Sequence, residues 1–310
     1  MTVKSLQKTM NMKNIIYTVF ALSIMGLSAC SQKEDIASPL VGQPINASFS
    51  VGGAQTRVNT LDRYANNWEN GDKIKAKVTG VGKTSESVLT ATVSVSEDGS
   101  SITSWSHHKN FVWQDNGKHK VYVSYPSDYP CDESGKWTLP LEQNTLAGLK
   151  SADFIDGSYE DGPRDIISIS AGHRLALVTV TYEIGTADFT DGTTLESPVV
   201  KSPYPKFSSG DGKVNGVTGS SGVVEVKAYK HEDANKFSAI IVPGTLGYGS
   251  EFLSFSVGGK NYVSKLKTPT DFVGGNCYTY KLKVGKNKVE LTQTNVEGGL
   301  PGWGSEEELK

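Results

Sequence analysis

The chain is 310 residues long and carries 31 lysines and arginines against 33 aspartates and glutamates. That near balance supplies no basic field suited to nucleic acid, and three cysteines are too few to make a disulfide scaffold of a chain this size. The length is enough for one large or two ordinary domains with real cores.

At the N-terminus, Lys4, Lys8 and Lys13 precede the apolar run Ile15 to Gly26 with no acidic residue among them, the charged-then-apolar order of a secretory signal. Met10 and Met12 are alternative starts. The run is too short to span a bilayer, which takes roughly 20 apolar residues. Leu27-Ser28-Ala29-Cys30 closes it and resembles a lipobox, at which a signal peptidase cuts once the cysteine thiol is acylated. Residues 1–29 therefore read as a lipoprotein signal peptide, Cys30 as the lipidation site and 30–38 as a lipidated tether; an ordinary signal peptide with a chance cysteine is the competing reading. Ser31-Gln32-Lys33-Glu34-Asp35 resembles the acidic export signal of lipoproteins that face outward from the outer membrane. Acyl chains would hold the protein there at about 0.8 kcal/mol per buried methylene. Without the three signal lysines the balance is 28 basic against 33 acidic residues, or about −5.

Beyond Pro39, apolar and polar residues alternate over short stretches, the period of half-buried strands. The predicted strands in chain order are Ile45 to Val51, Ile74 to Val78, Val88 to Val95, Val121 to Tyr125, Ile166 to Ile169 and Leu175 to Tyr182. Val223 to Ala228, Phe237 to Val242, Phe252 to Val257, Tyr278 to Val284 and Lys288 to Gln293 follow. Turn signals such as Asp115-Asn116-Gly117, Gly258-Gly259 and Gly285-Lys286-Asn287 separate them. Only Asn144 to Lys150 suggests a helical turn. The pattern predicts an all-β chain of sandwiches. Asp156 to Pro163 is rich in turn residues and reads as a domain boundary, giving an N-terminal domain over 39–163 and a C-terminal domain over 164–310, to within about fifteen residues. Asp188 to Lys213, full of Pro, Ser, Gly and Asp, reads as an excursion loop of the second domain.

Enzyme signatures are missing: there is no Gly-x-Ser-x-Gly, His-Glu-x-x-His, phosphate loop or dinucleotide fingerprint. His107-His108 is a poor metal pair, because adjacent strand residues point to opposite faces. His173 reads as a structural histidine, and Asp132-Glu133 is a carboxylate pair in a turn with no identified partner acid. No cofactor, metal or catalytic residue is expected. Cys131 and Cys277 either pair or remain as two isolated buried thiols, the latter being the preferred reading.

Several short segments occur in a set order: the lipobox, a first strand ending in Thr56-Arg57, Trp68-Glu69-Asn70-Gly71-Asp72-Lys73-Ile74, and Tyr122 to Tyr125 followed by Pro126. Ser170-Ala171-Gly172-His173-Arg174-Leu175-Ala176-Leu177-Val178, Ile240-Ile241-Val242-Pro243 and Phe272 to Tyr280 complete the series. By their number and order the chain resembles the fimbrillin-like lipoproteins of Bacteroides and Porphyromonas. The resemblance implies two tandem transthyretin-like β-sandwiches in a subunit that builds, anchors or tips a fimbria and serves cell adhesion. It also implies assembly by strand exchange: an arginine-specific protease cuts after an early arginine, the first strand leaves, and the C-terminal strand of another subunit fills the groove. Arg57 is the candidate cut site, with Arg63 second, and Val289, Glu290, Leu291, Thr292 and Gln293 form the candidate donor strand. Val289 to Gln293 reads equally as a fixed strand of its own domain, and an uncut Arg57 stays open. The implied partners are other fimbrial subunits and, through the lipid, the outer membrane. The chain is shorter than major stalk pilins, so tip, anchor and accessory positions are as open as the stalk.

A second reading, a surface lipoprotein that binds a glycan or host protein and does not polymerise, draws on Trp105, Trp113, Tyr122, Tyr125, Tyr129 and Trp137. Six aromatics within about thirty residues would suit a sugar platform if exposed and a core if buried.

Overall fold

The computed structural model describes residues 40–51, 68–80, 86–97, 102–106, 108–185, 187–210, 213–217, 222–232, 234–300 and 304–307. The described chain is all-β. Its strands are β1 (Ala47–Val51), β2 (Lys73–Gly80), β3 (Glu86–Val95), β4 (Ile102–Trp105), β5 (His119–Tyr125) and β6 (Trp137–Thr138). One helix, α1 (Leu146–Ser151), precedes β7 (Ile155–Asp161), β8 (Ile167–His173), β9 (Ala176–Ile184), β10 (Leu195–Ser202), β11 (Lys206–Gly210) and β12 (Lys213–Gly216). The remainder are β13 (Val224–Lys227), β14 (Tyr229–Lys230), β15 (Lys236–Ile241), β16 (Gly244–Leu246), β17 (Glu251–Val257), β18 (Lys260–Lys265), β19 (Thr270–Phe272), β20 (Cys277–Val284), β21 (Val289–Leu300) and β22 (Gly304–Glu307).

Seven strands form one sheet in the order β1-β8-β7-β5-β2-β3-β4, with β1 parallel to β8 and every other pair antiparallel. Alternation decides its faces. Ile74, Ala76 and Val78 on β2, Val121 and Val123 on β5, and Ile167 and Ile169 on β8 are buried together, while Lys75 and Lys77 on β2 and Lys120 and Tyr122 on β5 take the other side. The sheet curls round its core until its two end strands meet, the rings of Phe49 and Trp105 lying 5.3 Å apart edge to face.

A second core lies between the sheets β14-β15-β9-β20-β21-β22 and β13-β10-β17-β18. Val180, Phe237, Ile241, Tyr280 and Leu282 fill it from one side, and Leu195, Val200, Val226, Leu253 and Val257 from the other. The Gly258-Gly259 turn joins β17 to β18 with φ of 57° and 74°, a conformation that favours glycine.

Between β5 and β7 the chain leaves the first sheet, and Tyr129, Leu139, Leu149, Ala152 and Phe154 enter the second core. Thr145 caps α1 by accepting from the Gly148 N–H at 3.0 Å. Gln143, fully buried, donates to the Ile240 carbonyl at 2.9 Å and accepts from the Ile240 N–H at 2.8 Å, so this excursion is bonded to the backbone of β15.

Two segments that read as turn and loop contain strands instead. Asp156 to Pro163, rich in turn residues, begins within β7. Its turn-like composition has packing causes: a Cβ on Gly157 would stand 2.6 Å from the Ser170 carbonyl of β8, and Asp156 is buried in a polar network. Asp188 to Lys213 is not one loop, because it contains β10 and β11, which bury Leu195, Val200, Ser202 and Phe207 completely. No disulfide joins Cys131 and Cys277; Cys277 is buried as expected, but Cys131 is exposed, on the turn before β6.

Candidate functional site

Cys30, Arg57, Arg63 and His107 lie outside the described residues. The strand ahead of Arg57 is β1, an edge strand whose five residues register against Ile167 to Ala171 of β8. The Asn46 carbonyl accepts from the Ile167 N–H at 2.9 Å, and Ile45 and Phe49 plug the first core at 0% and 3% exposure.

Val289, Glu290, Leu291, Thr292 and Gln293 form the start of β21, opposite Val284, Lys283, Leu282, Lys281 and Tyr280 of β20 in the same chain. Leu291 is buried, and Gln293 accepts a hydrogen bond from the Tyr280 hydroxyl at 3.1 Å. Further along, Val296 and Glu297 pair with β22.

The six aromatics do not form an exposed platform. Trp105, Trp113 and Tyr129 are buried, while Tyr122, Tyr125 and Trp137 are half-buried. Trp137 is packed against Phe154 at 4.7 Å, and Tyr129 against Phe154 at 5.0 Å. His173 is also internal, its Nδ1 2.7 Å from Asp153 Oδ1. Asp132 organises a turn: it accepts from the Ser134 and Lys136 N–H groups, each at 3.0 Å, and from Lys206 Nζ at 2.9 Å. The Ser134 hydroxyl, which also donates to it at 2.7 Å, and then Lys206 and the Lys136 N–H hold its carboxyl well below the usual range. Among the described residues no group of three His, Cys, Asp or Glu side chains is placed to hold a metal ion.

A cleft of about 930 Å³ lies on the polar face of the first sheet. Its floor is a grid set by strand register. Lys75, Ser124 and Asp156 stand opposite one another across β2, β5 and β7; Lys77, Tyr122 and Ser158 form the next row, and Thr79, Lys120 and Glu160 the third. Trp137 and Ser209, with the turn carrying Cys131 and Gly135, supply the facing wall. Asp156 ties floor to wall. Its carboxylate accepts from the Tyr122 hydroxyl at 2.8 Å and from Arg174 Nε and the Ser209 hydroxyl, while Arg174 also donates to the Asp156 carbonyl at 2.8 Å. Burial and the adjacent Asp156 charge keep the Tyr122 hydroxyl protonated far above its ordinary range. The sequence carried one sign of this face, the lysines, tyrosine and serine alternating with core residues on β2 and β5. It carried none of the wall, which comes from segments read as turn and loop.

The fimbrillin-like family model matches residues 56–298. No curated protein matches the chain. Among solved structures, one from Bacteroides ovatus described as a candidate cell adhesion protein superposes with a TM-score of 0.61 at 13% identity, over 82% of this chain and 97% of that one. Another so described, from Bacteroides uniformis, gives 0.58 at 18% identity, over 84% and 97%. The tip fimbrial protein Mfa3 of Porphyromonas gingivalis gives 0.48 at 9% identity, over 81% and 98%.

Proposed function

The chain belongs to the fimbrillin-like family, and from that premise we propose that it is a fimbrial subunit, or an accessory, tip or anchor adhesin, that works at the cell surface through non-covalent contacts rather than catalysis. In this reading it is exported as a lipoprotein, anchored in the outer membrane through Cys30, and built from two β-sandwich domains.

The observation that carries the assembly step is the place of β1. It is an edge strand with one hydrogen-bonded neighbour, it ends at Val51, and Arg57 follows six residues later. Cleavage after Arg57 would free β1, uncover the β8 edge from Ile167 to Ala171, and vacate the places of Ile45 and Phe49. Burying each of those side chains is worth roughly 1.5–3 kcal/mol, and an open edge with empty side-chain sites recruits another strand. The proposed donor is Val289 to Gln293 of a neighbouring subunit, whose alternate side chains Val289, Leu291 and Gln293 share one face. In its own chain this strand pairs with β20, so donation starts with its release.

The test is limited digestion of the mature protein with an arginine-specific protease, reading the new N-terminus by mass spectrometry and particle size by light scattering. A single cut before Val58 followed by growth into higher oligomers is expected. Resistance at Arg57, or a clean cut that leaves a monomer, would overturn strand exchange and leave a capping or ligand-binding lipoprotein.

A further inference from the structure

We propose that the cleft over the first sheet is a binding site for an acidic saccharide, a sugar bearing a carboxylate. Three independent features converge on that chemistry.

The first is charge. Lys75, Lys77, Lys120 and Arg174 line the cleft against only Asp156 and Glu160. Arg174 and Asp156 are paired with each other, and Lys120 stands directly opposite Glu160 on the neighbouring strand. That leaves the positive charge of Lys75, across the strands from Ser124. Partly walled by protein, such charges act through a lower dielectric than they would on an open surface.

The second is an unanswered polar group. The Ser124 hydroxyl, on a residue only 1% exposed, lines the cleft and has no hydrogen-bond partner among the described residues. A buried hydroxyl left unbonded carries a desolvation cost that a bound polar molecule removes. Its cross-strand neighbours are Lys75 on one side and Asp156 on the other. The Asp156 carboxylate is already engaged by Tyr122, Ser209 and Arg174, so Ser124 and Lys75 are the pair that faces a newcomer.

The third is the lining. Tyr122 and Trp137 contribute half-buried rings, Tyr122 fixed by its bond to Asp156 and Trp137 by its packing on Phe154. Thr79, Ser158, Ser170 and Ser209 add hydroxyl groups. Fixed rings, hydroxyls and a few cations suit a ring of C–H faces and hydroxyl edges that carries one negative group. A peptide strand fits less well, because the floor is a sheet face whose backbone groups are already used in the ladders between β2, β5 and β7.

The experiment is calorimetric titration of the mature protein with 3′-sialyllactose and with a tetragalacturonate, against lactose and sodium sulfate as controls. At least one acidic sugar is expected to bind, lactose to bind at least tenfold more weakly, and affinity to fall as salt rises. Lys75→Glu is expected to weaken binding by about tenfold or more. Ser124→Ala is expected to weaken it by about threefold or more while the melting temperature holds or rises, because a buried unsatisfied hydroxyl is lost. The pairing of unchanged stability with lost affinity separates a ligand contact from a structural serine, and it stands even if Lys75→Glu folds poorly. The proposal is overturned if neither acidic sugar binds, if lactose binds as tightly, if sulfate binds as tightly and displaces the sugar, or if both variants bind like the parent.

Discussion

At the scale of single residues, Asp156 gathers polar side chains from three parts of the chain. It is 2% exposed, and three donors from β5, β11 and the start of the β8–β9 connection converge on it. Replacing it with alanine removes the carboxylate that Arg174, mostly buried, is paired with and the acceptor of the Tyr122 and Ser209 hydroxyls, so Asp156→Ala is expected to cost about 3–5 kcal/mol in urea unfolding. A cost below about 1 kcal/mol would mean that the network is incidental. His231 makes a second prediction, in pH. Burial first, then the nearby Lys236, pushes its pKa from 6.5 down to about 4. Between those values the unfolded chain binds the proton and the folded chain does not, so stability falls as pH drops from about 6.5 toward 4. The melting temperature of His231→Gln is expected to fall less steeply across that window than that of the parent; parallel curves would remove His231 from the acid response. Neither role was legible in the sequence. Asp156-Gly157 has the composition of a turn, and only the tertiary setting converts an aspartate into a network hub and a glycine into the clearance that β8 requires.

At the scale of elements, the eleven stretches that alternate in sequence all fall within or overlap strands, because a strand with one wet face must alternate. In three of the strands that sequence missed, that rule lapses. β7 carries Asp156, Gly157 and Glu160. β10 has a bulge between Glu196 and Val199, with Ser197 at a positive φ of 48°, and a proline between them. β11 reads Lys-Phe-Ser-Ser-Gly, with Phe207 alone buried. Packing by neighbours, not their own pattern, makes these segments strands. The strand β21, next to last in its sheet, yields its own prediction. It covers β20, whose Tyr280 and Leu282 are at most 1% exposed. Removing residues 288–310 would leave β20 as a long apolar edge, the kind that pairs with another chain. The truncated protein is expected to run as dimers or larger species in light scattering. A stable monomer would mean that β21 is not what seals this edge, and would weaken its candidacy as the exchanged strand.

At the scale of the whole molecule, the two cores are stitched rather than strung in series. The chain leaves β5, gives Tyr129, Leu139, Leu149 and Phe154 to the second core, and returns through β7 and β8 to the first sheet before entering the second core again at β9. Phe154 and Ile155 are adjacent in sequence and buried in different cores. A fragment spanning 164–310 would therefore lack four large buried side chains of its own core and the Gln143 bonds to β15. At roughly 1.5–3 kcal/mol for each side chain, that removes about 6–12 kcal/mol, an upper estimate. Domains are commonly stable by only about 5–15 kcal/mol, so the loss is comparable to the whole stability of the sandwich. The fragment is expected to bind ANS and to lose near-UV circular dichroism while keeping strand signal in the far-UV. A fragment that adds 126–154 through a flexible linker should recover the near-UV signal, since it restores the same contacts to the same core. If 164–310 alone gives a sharp, cooperative thermal transition, the excursion is an ornament and the second core folds independently of the first sheet. If only the extended fragment does, force or proteolysis applied to the first sheet has a covalent route, through Phe154 and Ile155, into the core beneath the C-terminal strand.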